Sequence, residues 1–474
     1  MNAMPRITTD IPARLDRLPW SRFHLTVIIA LGVTWILDGL EVTIVGSIGP
    51  ALQSRASLDM SAGDIGFAGS CYIGGAVFGA LFFGWLTDRV GRRAIFAVTL
   101  GVYVLGVLGS ACSIGVLTFA LSRVLTGIGI GGEYAAINSA VDEMTPARMR
   151  GQVNLAVNAT FWAGAALGAV ASVIVTSHRI FAPDVGWRVG FAIGGLLGLP
   201  VIWLRRFVPE SPRWLITHGH SREAEAATAR IEHAVESLGH HLPPARGSLS
   251  IQPRSSFGIG VVLHAMFVTH RKRSLLVTIL MLSQAFLFNA IFFTYGLVLT
   301  KFYGVPTAHV GWHILPLAAG NLLGPFILGP LFDRVGRRRM IGGTFAASAA
   351  LLTLTAFLFG TGQLNATTQT LLWMAIFFVS SSAACGAYLT ASEIFPLETR
   401  AMAIAVFYAF GTAIGGLFAP YVLGLLIETG STWSVSVGYL IAAVLMALGA
   451  LAEFTLGIDA EGKSLEDVAE ILSA

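Results

Sequence analysis

Charge is what this chain has least of. Only 12% of its 474 residues are Asp, Glu, Lys or Arg, about half the ~25% carried by soluble proteins. So few charges cannot cover a water-exposed globule, which excludes a soluble enzyme or regulator. The three cysteines, Cys71, Cys112 and Cys385, are scattered through apolar stretches. That excludes a disulfide framework and a metal site. No phosphate loop, zinc-protease helix or nucleophile elbow occurs, so neither an enzyme activity nor a cofactor is implied. The net charge of +4 does not point to nucleic acid, because the basic residues cluster between apolar runs.

What is abundant is apolar sequence, 55% of residues with a mean hydropathy of +0.73. A membrane-spanning helix needs about 20 such residues. Twelve runs qualify: 25–52, 64–86, 94–114, 116–141, 152–176, 188–208, 274–300, 309–332, 340–360, 369–391, 402–427 and 433–456. The predicted fold is therefore an all-α membrane protein, and an even number of spans puts both ends on one side. Of the 30 Lys and Arg, only Arg55, Arg179, Arg188 and Lys301 fall on the opposite side, with Arg123 inside a span. The positive-inside rule then places both ends in the cytoplasm.

This divides the chain into a cytoplasmic segment over 1–24, a six-helix bundle over 25–208, a cytoplasmic loop over 209–273, a second bundle over 274–456 and a cytoplasmic tail over 457–474. In the loop, Ser221–Leu238 reads as a surface helix with Ser221 as N-cap and Gly239 just past its end. The Pro, Gly and Ser that follow, to Ser256, read as a linker. Ser61 with Asp64, and Ser464 with Asp467, read as helix caps.

The two halves repeat. GWLTDRVGRR (84–93) matches GPLFDRVGRR (329–338), with the shared DRVGRR offset by 245 residues, and DEMTPARMRG (142–151) matches SEIFPLETRA (392–401) at an offset of 250. Two pairs at nearly one offset imply halves of common design, as in many secondary transporters. Gly91 and Gly336 supply backbone freedom for a tight loop. Asp88, Arg89, Arg92 and Arg93, with Asp333, Arg334, Arg337 and Arg338, are candidates to pair with Glu143, Arg150, Glu393 and Arg400. Such a network would latch one face shut and release it in another state. Fixing topology by snorkelling to headgroups is the plainer alternative.

Two carboxylates, Asp38 and Glu41, sit inside the first apolar run, in LDGLEVTIVGSIGP (37–50). A charge in hydrocarbon costs at least about 2.5–3.5 kcal/mol, so these acids require protein, water or a partner. Their i, i+3 spacing puts them on one helix face. Arg123 lies equally deep in span four and cannot easily lose its proton, so it should face one of them. Glu133 follows ten residues later and joins the candidate proton-coupling set.

The DRVGRR loops, the two Glu-six-Arg blocks and Pro209-Glu210-Ser-Pro-Arg-Trp214 resemble the major facilitator superfamily, above all its sugar-porter branch and related metabolite and organic-acid carriers. Asp459–Asp467 resembles the sugar-porter C-terminal motif, with its Pro and Thr missing. The resemblance implies two pseudo-symmetric six-helix bundles that alternate access, and it adds Glu210 to the cytoplasmic gate. It aligns Glu41 with the helix 1 acid of proton-coupled sugar porters and Arg123 with its helix 4 partner. Asp38-Gly-Leu-Glu41 also resembles aromatic-acid/proton carriers, and Gly131-Gly-Glu-Tyr134 resembles metabolite/proton carriers. SQAFLFNAIFFTY (283–295) resembles sugar-porter helix 7, so Gln284 and Asn289 become substrate contacts. Asn158, Asn321 and Tyr388 complete that candidate set, with helix-to-helix bonding as the alternative for each amide.

The implied function is proton-coupled uptake of a small polar metabolite, a sugar, a polyol or a small organic acid, by a monomer in the plasma membrane. Its partners are the substrate, protons and the bilayer. Three rivals stand beside it. Against a proton-driven exporter, span five lacks the Gly-x-x-x-Gly-Pro pattern expected of such antiporters. A facilitator without proton coupling conflicts with the membrane acids. A nutrient sensor on a transporter scaffold would call for a longer tail.

Overall fold

A computed structural model describes residues 6–469 except 53, 56, 61, 176–179, 183, 205–207, 240, 246, 252–258, 307–308 and 397–399. Strand β1 (Ile7–Thr9) and helix α1 (Ile11–Asp16) precede the first half. That half contains α2 (Arg22–Ser47), α3 (Gly49–Leu52), α4 (Ala62–Val90), α5 (Arg92–Ala111), α6 (Val116–Met144), α7 (Arg150–Val175) and α8 (Gly186–Leu204). Helices α9 (Pro212–Thr217) and α10 (Ser221–Glu236), strand β2 (Leu249–Ile251) and α11 (Ile259–His264) lie between the halves. The second half contains α12 (Arg271–Tyr303), α13 (Val310–Arg334), α14 (Arg337–Gly360), α15 (Ala366–Glu393), α16 (Arg400–Glu428) and α17 (Thr432–Leu456), and α18 (Leu465–Val468) follows.

Twelve of these helices, α2, α4–α8 and α12–α17, run for at least 19 residues. Eleven are long and apolar enough to cross a membrane, and α16 is apolar over Arg400–Gly416. A helix satisfies its own backbone, which hydrocarbon cannot do. Hydroxyls inside the spans close on the preceding turn, as Ser110 does on Gly106 O and Thr355 on Leu351 O. Large apolar side chains such as Phe78, Leu105, Leu167, Phe326 and Phe357 are left on the outside, where lipid covers them.

Within each half the helices meet backbone to backbone. A Cβ on Gly39 would lie 1.9 Å from Phe161 O, and one on Gly131 would lie 1.9 Å from Ala76 O. Small residues at such points let α2 approach α7, and α4 approach α6, closely enough for dispersion to hold them. The halves join through α7 against α13 and α4 against α16.

The helices extend past the apolar runs. Helix α4 continues to Val90, α12 to Tyr303, and α15 covers Ala366–Glu393. Hydropathy marks only hydrocarbon-length stretches, whereas a helix persists while its polar ends are capped. Two expectations for the loop need correction. His220, not Ser221, is the N-cap residue of α10, because Ser221 already has helical geometry. The stretch read as a linker contains β2, which pairs antiparallel with β1 as Thr8 opposite Ser250. Ile11, Leu15, Trp214, Ile231 and Val235 build a small core of their own under that ribbon. Arg14 and Arg17 clamp Glu232 across it. The expected cap at Ser464 is present, its hydroxyl accepting from Asp467 N at 3.1 Å. Ser61 and Arg179 lie outside the described residues.

Candidate functional site

Asp38, Glu41 and Arg123 meet in the middle of the first half, exposed by only 1%, 1% and 2%. Arg123 on α6 donates to Glu41 Oε1 on α2, and its guanidinium lies 4.9 Å over the Tyr72 ring. Asp38 instead faces phenols. Tyr72 Oη donates to its Oδ1 at 2.9 Å and Tyr134 Oη to its Oδ2 at 3.4 Å. The i, i+3 spacing brings both acids to one face, but their partners differ. Glu41 is an ion-pair acid, while among the described residues the hydrogen-bond donors on Asp38 are the two neutral phenols.

Aromatic rings surround Asp38. Tyr134 stacks on Tyr408 of α16 at 4.4 Å, and Trp35 meets Tyr134 edge-on at 4.1 Å. Tyr388 on α15 is 6.2 Å from Tyr134. This ring contact therefore joins the two halves directly over the acid. On α12, Gln284 bonds to Met281 O and sits against Tyr388, and Asn289 bonds to Ala285 O. Asn158 on α7 donates to Asn138 on α6. Asn321 is buried between α13 and α15, where its main-chain oxygen accepts from Ser381. Glu133 faces α5 and accepts from Thr99 at 3.0 Å, away from the Glu41 pair.

The duplicated motifs converge on the face that carries both described chain ends. In the first half Arg92 holds Glu143 at 2.7 Å and Asp88 at 3.3 Å. In the second, Arg337 holds Glu393 through two nitrogens and Asp333 at 2.9 Å. The halves then exchange contacts. Arg150 lies 3.8 Å from Glu393, and Arg400 lies 3.6 Å from Glu143. Asp88 accepts from the amides of Ala401 and Met402 at the start of α16, and Asp333 from those of Gly151 and Gln152 at the start of α7. A carboxylate there satisfies orphan amides and meets the positive end of the helix.

Gly91 and Gly336 turn the chain at φ +104° and +111°, a region few other residues enter. Glu210 accepts from the amides of Arg92 and Arg93 that begin α5. Burial pushes the Glu210 carboxyl above its usual range, against the opposing pull of Arg92 and these amides. Arg89 lies over Trp85, Arg338 bonds to Phe454 O, and Arg93 and Arg334 point outward. The face is closed in this structure.

A family profile described as "Sugar (and other) transporter" matches residues 27–472. The chain belongs to this transporter family. As a member of the major facilitator superfamily it is a multi-pass membrane transporter and not an enzyme. The transporter is 27% identical over 463 residues to the niacin transporter NiaP of Acinetobacter baylyi, covering 97% of this chain and 99% of that one. It is 25% identical over 467 residues to the 4-hydroxybenzoate transporter PcaK of the same organism, covering 95% of each. Its fold matches that of the proton:xylose symporter XylE of E. coli bound to 6-bromo-6-deoxy-D-glucose, with a TM-score of 0.77 at 19% identity over 94% of this chain and 98% of that one.

Sequence reasoning missed several residues of this transporter. Glu461 accepts from Arg337 N as Glu210 does from Arg92 N. Its offset from Glu210, 251 residues, was the available signal. Tyr72 and Tyr408 had none, since a tyrosine in an apolar span does not announce what it touches. Asp16 pairs with both Arg150 and Arg213, tying the N-terminal segment to this ion-pair network.

Proposed function

We propose that this transporter imports a small aromatic carboxylate of the nicotinate or hydroxybenzoate type together with a proton, as a monomer in the plasma membrane with both ends in the cytoplasm. The observation that carries this reading is Asp38, a buried acid held by two phenols and roofed by the Tyr134–Tyr408 stack between the halves. Rings favour a flat, apolar substrate body. Two like charges about 5 Å apart repel by about 3 kcal/mol at an effective dielectric of 20. An anionic substrate therefore enters beside Asp38 when that acid carries a proton. Proton and anion load together, which is symport.

Glu41 and Arg123 supply the conformational half of the mechanism. Protonation of Glu41 frees the guanidinium and lets α2 move against α6. The latch of Asp88, Asp333 and the four arginines opens the cytoplasmic face in the alternate state. The names of the NiaP and PcaK relatives support an aromatic acid. A second reading, a sugar bound by Gln284 and Asn289, is favoured by their place on α12.

Reconstitution into liposomes with a trapped pH dye tests the proposal. Nicotinate or 4-hydroxybenzoate is expected to drive proton entry, and Asp38→Asn to abolish it. Proton movement with sugars alone would select the second reading. Uptake indifferent to the pH gradient would end the symport proposal.

A further inference from the structure

Asp142 is buried in the closed gate, one residue before Glu143. Asp88, Glu143, Asp333 and Glu393 each pair with an arginine. Asp142 has no such partner among the described residues. Its Oδ1 accepts from Asn154 Nδ2 of α7 at 3.0 Å, and its Oδ2 has no hydrogen-bond partner. The nearest cation, Arg150, spends its nitrogens elsewhere. They go to the main-chain oxygen of Asp142 itself, Asp16, Lys463 O and Glu393. Across the interface stand Glu393 of α15 and Ser392, whose hydroxyl is within hydrogen-bond reach of the Asp142 carboxyl. Ser392 is the counterpart of Asp142 under the 250-residue repeat, so the second half has a hydroxyl where the first has an acid. With the face closed, an ionised Asp142 would sit dry, held by neutral groups but by no arginine at ion-pair distance, and facing Glu393. A buried unpaired charge is the costliest state of a carboxyl.

Asp142 also ends a line of polar side chains that starts at the central acid. Tyr134, Asn138 and Asp142 lie four residues apart on α6, about 12 Å from first to last at 1.5 Å per residue. Asn158 donates to both Asn138 and Asn154, and Asn154 donates to Asp142. Tyr134 itself donates to Asp38.

We propose that Asp142 is a second proton-binding site, which holds a proton while the two halves are joined and releases it to cytoplasmic water as they part. The step is a simple dissociation: the carboxylic O–H bond breaks, the proton goes to water and the electron pair stays on Oδ2. Once ionised, Asp142 resists re-closure against Glu393, so cytoplasmic pH sets the open fraction. The cytoplasmic direction rests on the function proposed above. The link between Asp142 and gate opening does not.

Cys385 reports this opening. It lies in the same interface, 6% exposed, with Sγ 3.9 Å from Leu155 O of α7. The full chain carrying Cys71→Ser and Cys112→Ser is placed in nanodiscs, both faces accessible. Maleimide labelling of Cys385 is followed between about pH 6 and 8, a range that brackets neutrality, and normalised to the denatured protein. Labelling is expected to rise several-fold with pH, Asp142→Asn to hold the low rate throughout, and Asp142→Glu to restore the rise. Asp142→Ser, which copies the second half, replaces the Asn variant if that one fails to insert. A neutral variant that follows the original rise overturns the proposal. If labelling depends on Asp142 while nicotinate uptake ignores the pH gradient, the symport reading falls and this one stands.

Discussion

Asp88 and Asp333 make the same bond in opposite directions across the molecule. Asp88, at the end of α4, caps α16 in the second half, and Asp333, at the end of α13, caps α7 in the first. Each also holds the arginine four residues on. The duplicated loops therefore turn the chain and lock the halves together.

Replacing Asp333 by Asn keeps the shape but removes the charge and aims an amide N–H at a helix N-terminus. A hydrogen bond to a charged group contributes about 1.5–3 kcal/mol, so the closed state should lose an order of magnitude or more against the open one. Labelling of Cys385 should rise accordingly, and Asp88→Asn should act alike. If either variant labels like the parent, the caps do not hold the gate.

The Glu41–Arg123 pair separates folding from coupling. Removing one partner of a buried pair costs about 3–5 kcal/mol, whereas replacing both by apolar residues is often neutral. Arg123→Leu should reduce the yield of folded protein, and adding Glu41→Leu should restore it. The double variant should still exchange substrate down its gradient and fail to accumulate it against one. Counterflow and pH-driven uptake on one preparation measure the two properties.

Gly336→Ala tests the turn in the second loop. Its φ of +111° and ψ of 149° lie where a side chain costs about 1–3 kcal/mol. The new Cβ would also stand 3.0 Å from Glu461 Oε1. Gly91→Ala meets Glu210 Oε2 at 2.5 Å, a tighter contact. Thermal unfolding in detergent should place both below the parent, with Gly91→Ala lower.

The helical fold was legible because hydrocarbon imposes one length and one composition on every span. The paired charges were legible because the motif occurs twice, so Glu143–Arg92 and Glu393–Arg337 could each be read from the other. Glu41 and Arg123 were legible as charges in apolar runs. Contacts between distant residues with no charge or repeat to mark them were not. Tyr72 and Tyr408 look like any aromatic in a membrane helix until α4 and α16 close over Asp38. Asp142 was hidden by its neighbour Glu143, since nothing in the order of residues says which of two adjacent acids receives an arginine. The β1–β2 ribbon joins residues 240 to 244 positions apart, and β2 lies among the Pro, Gly and Ser of a stretch that reads as a linker.

Helix α9, which lies between the two halves and outside the spans, should loosen in acid. His218 stacks on Trp214 at 4.2 Å, and its Nδ1 lies 3.0 Å from Trp214 O. Burial, with a smaller push from Arg92, lowers its pKa to about 4, against about 6.5 when free. The folded ring resists a proton that the unfolded chain accepts. Stability is thus complete above about pH 6.5 and falls as the pH drops towards 4. The protection factors of the α9 amides, after correction for the slower intrinsic exchange in acid, should fall across that window before those of the spans. His218→Phe keeps the stack on Trp214, removes the titration and should flatten the response. If α9 loosens equally in that variant, another group governs the acid response.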